Sequence, residues 1–519
     1  MHRTRWAGLG CAGALLAGQV LLAPAAEAFS QVNGSGSTYV GLAMSDWQNG
    51  ANSRGIPVNY SALGSPAGVN QYGDHTVDFA GTEAEVSSLE AAGGGGATAK
   101  QRGYQYVPDV AGAVAVMYNV TDAGGRRVDS LHLTRDVVAR IFARQITRWS
   151  DPAISATNGG FALPDQPITL VGRSGQSGTT ALFYDFVAHV APGPYGDFVS
   201  RNVDKGIGPL PSGVRPIQLP TRGPDADFYR LFADSDQIAQ TLANGSVPFS
   251  IGYDEFGYAK KYNAPTAWVE NQAGKYTLPY AANIAAALTK ANLRPDLSQE
   301  LSGVYANPDP STYPISAYSY LMTPCGSGRD TCKGGYPDGA KADTMTAFIE
   351  HVACDGQINM ARIGYSPLPP NLSQEMMNAN ARLTGRPPKQ LNADNCANPT
   401  FHGGLGAGAT APQDPFVGMG GVDALTHGGN GGGPKAAAKD GPKSSASAQA
   451  SAGPGASSAS GPDASEANGG SKDWRNAEPA AYQGGGFGGF GAWAALVLFA
   501  AICVPLVVRG IIRRLRRTS

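Results

Sequence analysis

Nine consecutive residues constrain this chain more than any others: Gly172, Arg173, Ser174, Gly175, Gln176, Ser177, Gly178, Thr179 and Thr180. The apolar run Ile168, Thr169, Leu170 and Val171 leads in and reads as a strand, while Ala181, Leu182 and Phe183 lead out and read as a helix. Small residues at such a strand-to-helix turn leave backbone N–H groups and hydroxyls open at the helix N-terminus, where negative charge is favoured. Arg173 adds a fixed cation with a planar donor fork. The stretch is a candidate oxyanion cradle. It is not a P-loop, because no Lys precedes Thr179 or Thr180. It is not a nucleophile elbow either: Ser177 has Gly175 two before it but Thr179 two after.

The ends of the chain read differently. His2, Arg3 and Arg5 give a basic start, residues 7–22 are largely apolar, and Ala26, Glu27 and Ala28 fit a small-x-small cleavage site. Residues 1–28 are therefore expected to be a signal peptide, with Phe29 first in the mature chain. Residues 490–508 carry no charge and are long enough to span a bilayer. Arg509, Arg513, Arg514, Arg516 and Arg517 follow at once, which places residues 509–519 in the cytoplasm by the positive-inside rule. The expected topology is single-pass type I in the cell membrane, with an extracytoplasmic ectodomain. Between them, residues 403–489 are mostly Gly, Ala, Ser and Pro and cannot bury enough apolar surface to offset ordering entropy. As a flexible tether of about 80 residues this segment reaches on the order of 50 Å.

Residues 29–402 hold the ordered sequence. Strand-like runs (Asp78 with Phe79 and Ala80, residues 113–118, 168–171 and 249–253) alternate with helical stretches. Over residues 134–149, Thr134 is a cap and the pairs Val137/Ile141 and Val138/Phe142 repeat at helical spacing. That alternation predicts an α/β fold with mostly parallel sheets, and the length exceeds one comfortable core, so two lobes are expected. A net charge of −1 with 15% charged residues implies no broad attraction to nucleic acid. The seven histidines, including His75, His132, His189 and His351, show no metal or triad spacing. No metal or cofactor is expected.

Cys11 falls in the signal segment and Cys503 in the apolar span, leaving Cys325, Cys332, Cys354 and Cys396 in the ectodomain. An even number in an exported domain predicts two disulfides. Three connectivities are open; proximity in sequence favours Cys325–Cys332 and Cys354–Cys396.

Several short motifs, in order and with suitable spacing over about residues 34–385, resemble the phosphate-binding proteins of bacterial phosphate ABC importers. That family has the two-lobed, type II periplasmic-binding-protein fold. Gly34, Ser35, Gly36, Ser37, Thr38 and Tyr39 resemble its opening glycine-rich turn. Gly64, Ser65, Pro66, Ala67, Gly68 and Val69 resemble its second loop, and residues 77–83, ending in Thr82 and Glu83, its third. Arg173 with Ser177, Gly178 and Thr179 matches the fourth, and residues 249–253 resemble the strand that closes the second lobe. The resemblance implies inorganic phosphate as ligand, with donors from Thr38, Tyr39 N–H, Ser65, Arg173, Ser177, Gly178 N–H and Thr179. Glu83 stands where the family has Asp. Such a carboxylate accepts a hydrogen bond from a protonated phosphate oxygen, which fully ionised sulfate cannot offer. Gly175 stands where the family often has an acid that steadies the arginine, and Tyr39 where it has Phe. The implied partners are separate ABC permease and ATPase subunits, and no chemistry is done on the ligand.

Other readings use the same residues. Another oxyanion such as sulfate or molybdate is one, and Glu83 is the discriminator. A surface sensor or adhesion module reusing the fold is a second. A phosphate-ester hydrolase ranks last for want of a nucleophile–base pair. Glu85 rivals Glu83 as the acceptor but reads as a surface acid.

Overall fold

The computed structural model describes residues 29–401, except 327–331, 333–335 and 337. The expected signal peptide, the tether, the apolar span and the basic tail lie outside the described residues. Among the described residues no helix is long and apolar enough to cross a membrane.

The first part of the chain alternates strands and helices: β1 (Val32–Gly36), α1 (Gly41–Ser53), β2 (Val58–Ala62), α2 (Ser65–Gly73) and β3 (Phe79–Thr82). A long strand, β4 (Gln105–Asn119), follows, and α3 (Arg135–Phe142) comes after it. The second part repeats the alternation with β5 (Thr169–Arg173), α4 (Gly178–Val190), β6 (Tyr229–Phe232), α5 (Ser235–Asn244), β7 (Ser250–Glu255) and α6 (Phe256–Tyr262). The chain then returns through β8 (Ser316–Thr323) and closes with α7 (Gly339–Ala353) and α8 (Pro370–Thr384).

These eight strands form one sheet in the order β2-β1-β3-β8-β4-β7-β5-β6. The pairs β1–β2, β1–β3, β5–β6 and β5–β7 are parallel, as the alternation predicts. The middle is not. β8 runs antiparallel to both β3 and β4, and β4 antiparallel to β7. The expectation of mostly parallel sheets is thus corrected to a mixed sheet, because the chain passes between lobes along β4 and returns along β8. All fifteen residues of β4 are buried. Its first part, up to Ala113, pairs with β8 in the first lobe, and Val114 onward pairs with β7 in the second. A strand covered on both faces needs a near-continuous apolar run, which Val110, Ala111, Ala113, Val114, Ala115, Val116 and Met117 supply. Pro108, which has no N–H, is tolerated beside the register shift opposite Ser319 and Tyr320.

α3 corrects a boundary. Thr134 caps it by accepting from Val137 N, and Val137, Val138, Ile141 and Phe142 are buried as their spacing predicts. The helix stops at Phe142 rather than running to Trp149, because Arg144 takes φ 61°, which ends helical geometry. Disulfides join Cys325 to Cys332 and Cys354 to Cys396. The second ties the end of α7 to the chain beyond α8.

Candidate functional site

The residues singled out from the sequence come from both lobes and sit at the carboxyl ends of strands. Ser37, Thr38 and Tyr39 follow β1, Glu83 follows β3, and Arg173 ends β5. Ligands in open α/β sheets bind at such ends, where loops and helix N-termini gather. α2 begins at Ser65 and α4 at Gly178, so two helix N-termini contribute.

Thr38, Ser65, Glu83, Arg173, Ser177 and Thr179 are all buried. Arg173 Nη1 donates to Thr38 Oγ1 across the lobes at 2.6 Å. Ser65 Oγ donates to Glu83 Oε2 at 2.8 Å, and Ser37 Oγ donates to Glu83 Oε1. Gly178 seats the second lobe against this carboxylate. A Cβ there would lie 2.5 Å from both Glu83 Oε2 and Ser65 Oγ, so only glycine allows the first turn of α4 to come so close. Behind it, Ser177 Oγ accepts from Thr180 N at 3.3 Å and caps α4. The lobes also meet where Gln176 Nε2 donates to Gly93 O at 3.3 Å.

One expected contributor, the Tyr39 N–H, is turned to an internal partner, and Ser177 has a second use. Tyr39 N–H donates to Ser37 Oγ at 2.9 Å, and the Tyr39 ring is wholly buried in the core. The Ser177 hydroxyl accepts from Thr180 N as the cap, which leaves its own hydrogen to donate. Glu85, the rival acceptor, instead pairs with Arg294 at the surface.

Three residues join the site that sequence reasoning did not single out. Ser37 lay inside the quoted glycine-rich turn. Asp254, 1% exposed, follows the apolar run of β7 directly. Ser235 opens α5 and stands between the lobes: its Oγ is 3.0 Å from Asp254 Oδ1 and 3.1 Å from Thr38 Oγ1. An acid closing an apolar strand was the available signal for Asp254; nothing local marks Ser235. Tyr258 supports the turn from α6 by donating to Thr38 O at 2.9 Å.

Electrostatically, one arginine faces two buried acids. Burial pushes Glu83 up to about 7, with the Ser65 hydrogen bond opposing it. Burial pushes Asp254 up to about 6, with the Arg173 charge opposing. Each thus exchanges a proton near neutrality. The arrangement can hold an anion by Arg173 and a helix N-terminus while a carboxylate inspects its protons. Beyond Glu83 and Gly178 lies a cavity of about 300 Å³. Its two arginines are already committed, Arg215 to Asp185 and Arg294 to Glu85, so it offers no free cation to a second anion.

A family model described as a PBP superfamily domain matches residues 23–355. The chain belongs to that family. The chain is 28% identical over 331 residues to the phosphate-binding protein PstS 3 of Mycobacterium tuberculosis, spanning 63% of this chain and 78% of the relative. It is 26% identical over 348 residues to the phosphate-binding protein PstS of Xylella fastidiosa, spanning 67% and 84%. A solved phosphate-binding protein from Stenotrophomonas maltophilia overlays with a TM-score of 0.47 at 19% identity, covering 71% of this chain and 97% of that one.

Proposed function

We propose that this chain is an extracytoplasmic binding protein that captures inorganic phosphate between its two lobes and presents it to separate permease and ATPase subunits of an ABC importer. The observation that carries the reading is the convergence, from opposite lobes, of Arg173 and Gly178 on Thr38, Ser65 and Glu83. Arg173, Thr38 and the α4 N-terminus supply donors for phosphate oxygens, with Ser177 and Thr179 on the same turn, and Ser65 joins them when its single hydrogen turns from Glu83 to the anion. Glu83 accepts from the protonated oxygen. Its relatives are named as phosphate-binding proteins, and this chain is a binding protein, not an enzyme. The uncharged run at residues 490–508 and the arginines after it support a single C-terminal anchor, with residues 403–489 as the tether. Residues 29–402 are the binding domain in this reading.

The burial of Glu83 favours a second reading. Burial pushes its carboxyl up to about 7 and so favours the protonated form, which can donate to a fully ionised oxyanion such as sulfate. Calorimetric titration of the full-length chain in mild detergent, stripped of bound anions, separates the two. Phosphate binding at micromolar or tighter affinity without sulfate binding supports phosphate capture. Sulfate binding supports the second reading, and binding of neither overturns both and leaves a sensor or adhesion role.

A further inference from the structure

Thr38 Oγ1 has one hydrogen and two acceptor positions, and its neighbours decide where that hydrogen points. Arg173 Nη1 takes one acceptor position at 2.6 Å. Ser235 Oγ lies 3.1 Å from Thr38 Oγ1 as a second hydrogen-bond neighbour, and 3.0 Å from Asp254 Oδ1. Ser235 has a single hydrogen, so it can donate to Asp254 or to Thr38 but not to both.

We propose that Ser235 and Asp254 form a hydroxyl relay that sets the direction of the Thr38 hydrogen and so couples oxyanion binding to proton uptake. The proposal rests on the reading of Thr38 as a ligand donor. With Asp254 ionised, the charge-assisted bond holds the Ser235 hydrogen. Ser235 Oγ then attracts the Thr38 hydrogen away from the space between the lobes. A proton on Asp254 removes that hold. If the proton sits on Oδ1, which also accepts from Glu255 N at 2.8 Å, Asp254 can donate to Ser235 and Ser235 to Thr38. Both acceptor positions of Thr38 are then filled, and its hydrogen points to the ligand.

Burial makes the switch effective, since Ser235 and Asp254 are each 1% exposed and water does not compete for their hydrogens. Asp254 Oδ2 has no hydrogen-bond partner among the described residues, so the carboxylate is not fully satisfied in its ionised form. The charged and titratable groups around it are Arg173 from β5, Glu83 from β3, Asp236 from α5, Glu255 on its own strand, and Tyr253 and Tyr258. Only Arg173 among them is cationic. Burial has already brought Asp254 to a pKa of about 6, and an arriving anion pushes it further up, so binding draws in a proton.

The test is calorimetry of the full-length chain with inorganic phosphate in buffers of different ionisation enthalpy, which counts protons taken up on binding from about pH 5.5 to about pH 8. The wild type takes up a proton component centred above about 6, between the free and the anion-bound pKa of Asp254. Asp254→Asn, whose amide can donate permanently, loses that component and holds its affinity at high pH, where the wild type weakens by about tenfold for each unit of coupled shift. Ser235→Ala flattens the profile, Ser235→Thr restores it, and Asp254→Asn has a smaller effect in the Ser235→Ala background. An unchanged proton count in Asp254→Asn, or fully additive effects of the two changes, overturns the relay while leaving phosphate capture intact. A wild type that binds no oxyanion overturns both together.

Discussion

The two lobes bring opposite chemistry to one point. The first offers a carboxylate, Glu83, held by hydroxyls from Ser37 and Ser65. The second offers a cation, Arg173, and the capped N-terminus of a thirteen-residue helix, with Asp254 set behind. In the proposed reading, Glu83 of the first lobe inspects the protons on the anion itself, while the second lobe attracts its charge. Separated, neither makes a good anion site: a carboxylate repels, and a lone arginine accepts any anion. On the proposed function, selectivity arises where they meet.

The change that breaks this division most severely is Arg173→Ala. It removes the cation and leaves Glu83 and Asp254 buried without an opposing charge. Truncating one partner of a buried charged hydrogen bond costs about 4 kcal/mol, which lowers phosphate affinity by roughly a thousandfold. Arg173→Lys keeps the charge but loses the fork and falls between. Calorimetry on the full-length chain reads both, and an Arg173→Ala affinity within about tenfold of the wild type would show that the second lobe does not attract through its cation.

Glu83→Gln tests the first lobe. Burial pushes the folded Glu83 up to about 7, above the ordinary value of 4.5, so the folded state binds more protons between them. The contribution of Glu83 to stability is fully present below about 4.5 and is lost as pH rises through about 7. A shift of that size corresponds to about 3 kcal/mol. The ligand-free wild type should therefore melt at lower temperature at about pH 8 than at about pH 5, and Glu83→Gln should flatten much of that slope. The same variant should bind sulfate more tightly than the wild type does at about pH 8, since its amide donates where the carboxylate repels. Thermal melts against pH together with sulfate titration check both halves.

Gly178→Ala probes the contact between lobes rather than either one. The added methyl must displace Glu83 or Ser65, each 2.5 Å from it. Overpacking of this kind costs about 1–3 kcal/mol, and the closed arrangement bears it, so affinity should fall by roughly thirtyfold. Alanine favours helix over glycine, so the melting temperature of the ligand-free chain should hardly change. Equal losses of affinity and stability would mean that the contact serves folding rather than capture.

How much of this was legible in the sequence depended on sequence distance. The strand-to-helix turn around Arg173 and the cap at Thr134 are local, and their residues carry the pattern within a few positions. Family membership was legible because several local turns recur in order. The middle of the sheet was not, since β4 pairs with two strands from different lobes and nothing in its apolar run says where one partner gives way to the other. Ser235 was invisible for the same reason: it meets Thr38 across 197 positions of chain, and a serine opening a helix looks like any other. The internal bond of Tyr39 N–H depends on how the turn after β1 is wound, which composition does not reveal.

Ser177→Ala is the smallest expected effect, and it separates two uses of one hydroxyl. In the structure Ser177 Oγ caps α4 through Thr180 N, while the family resemblance implies contact with the ligand. An N-cap Ser replaced by Ala loses about 1 kcal/mol of stability. If the hydroxyl also donates its hydrogen to the anion, affinity falls by a further factor of about ten, because a hydroxyl can accept from Thr180 and donate to a ligand at once. Ser177→Asp preserves the cap but places negative charge against the anion. A cap-only role predicts that Ser177→Ala lowers the melting temperature with affinity unchanged; a double role predicts that both fall. In either case the loss stays well below that of Arg173→Ala, since the second lobe attracts by charge first and by hydroxyls second.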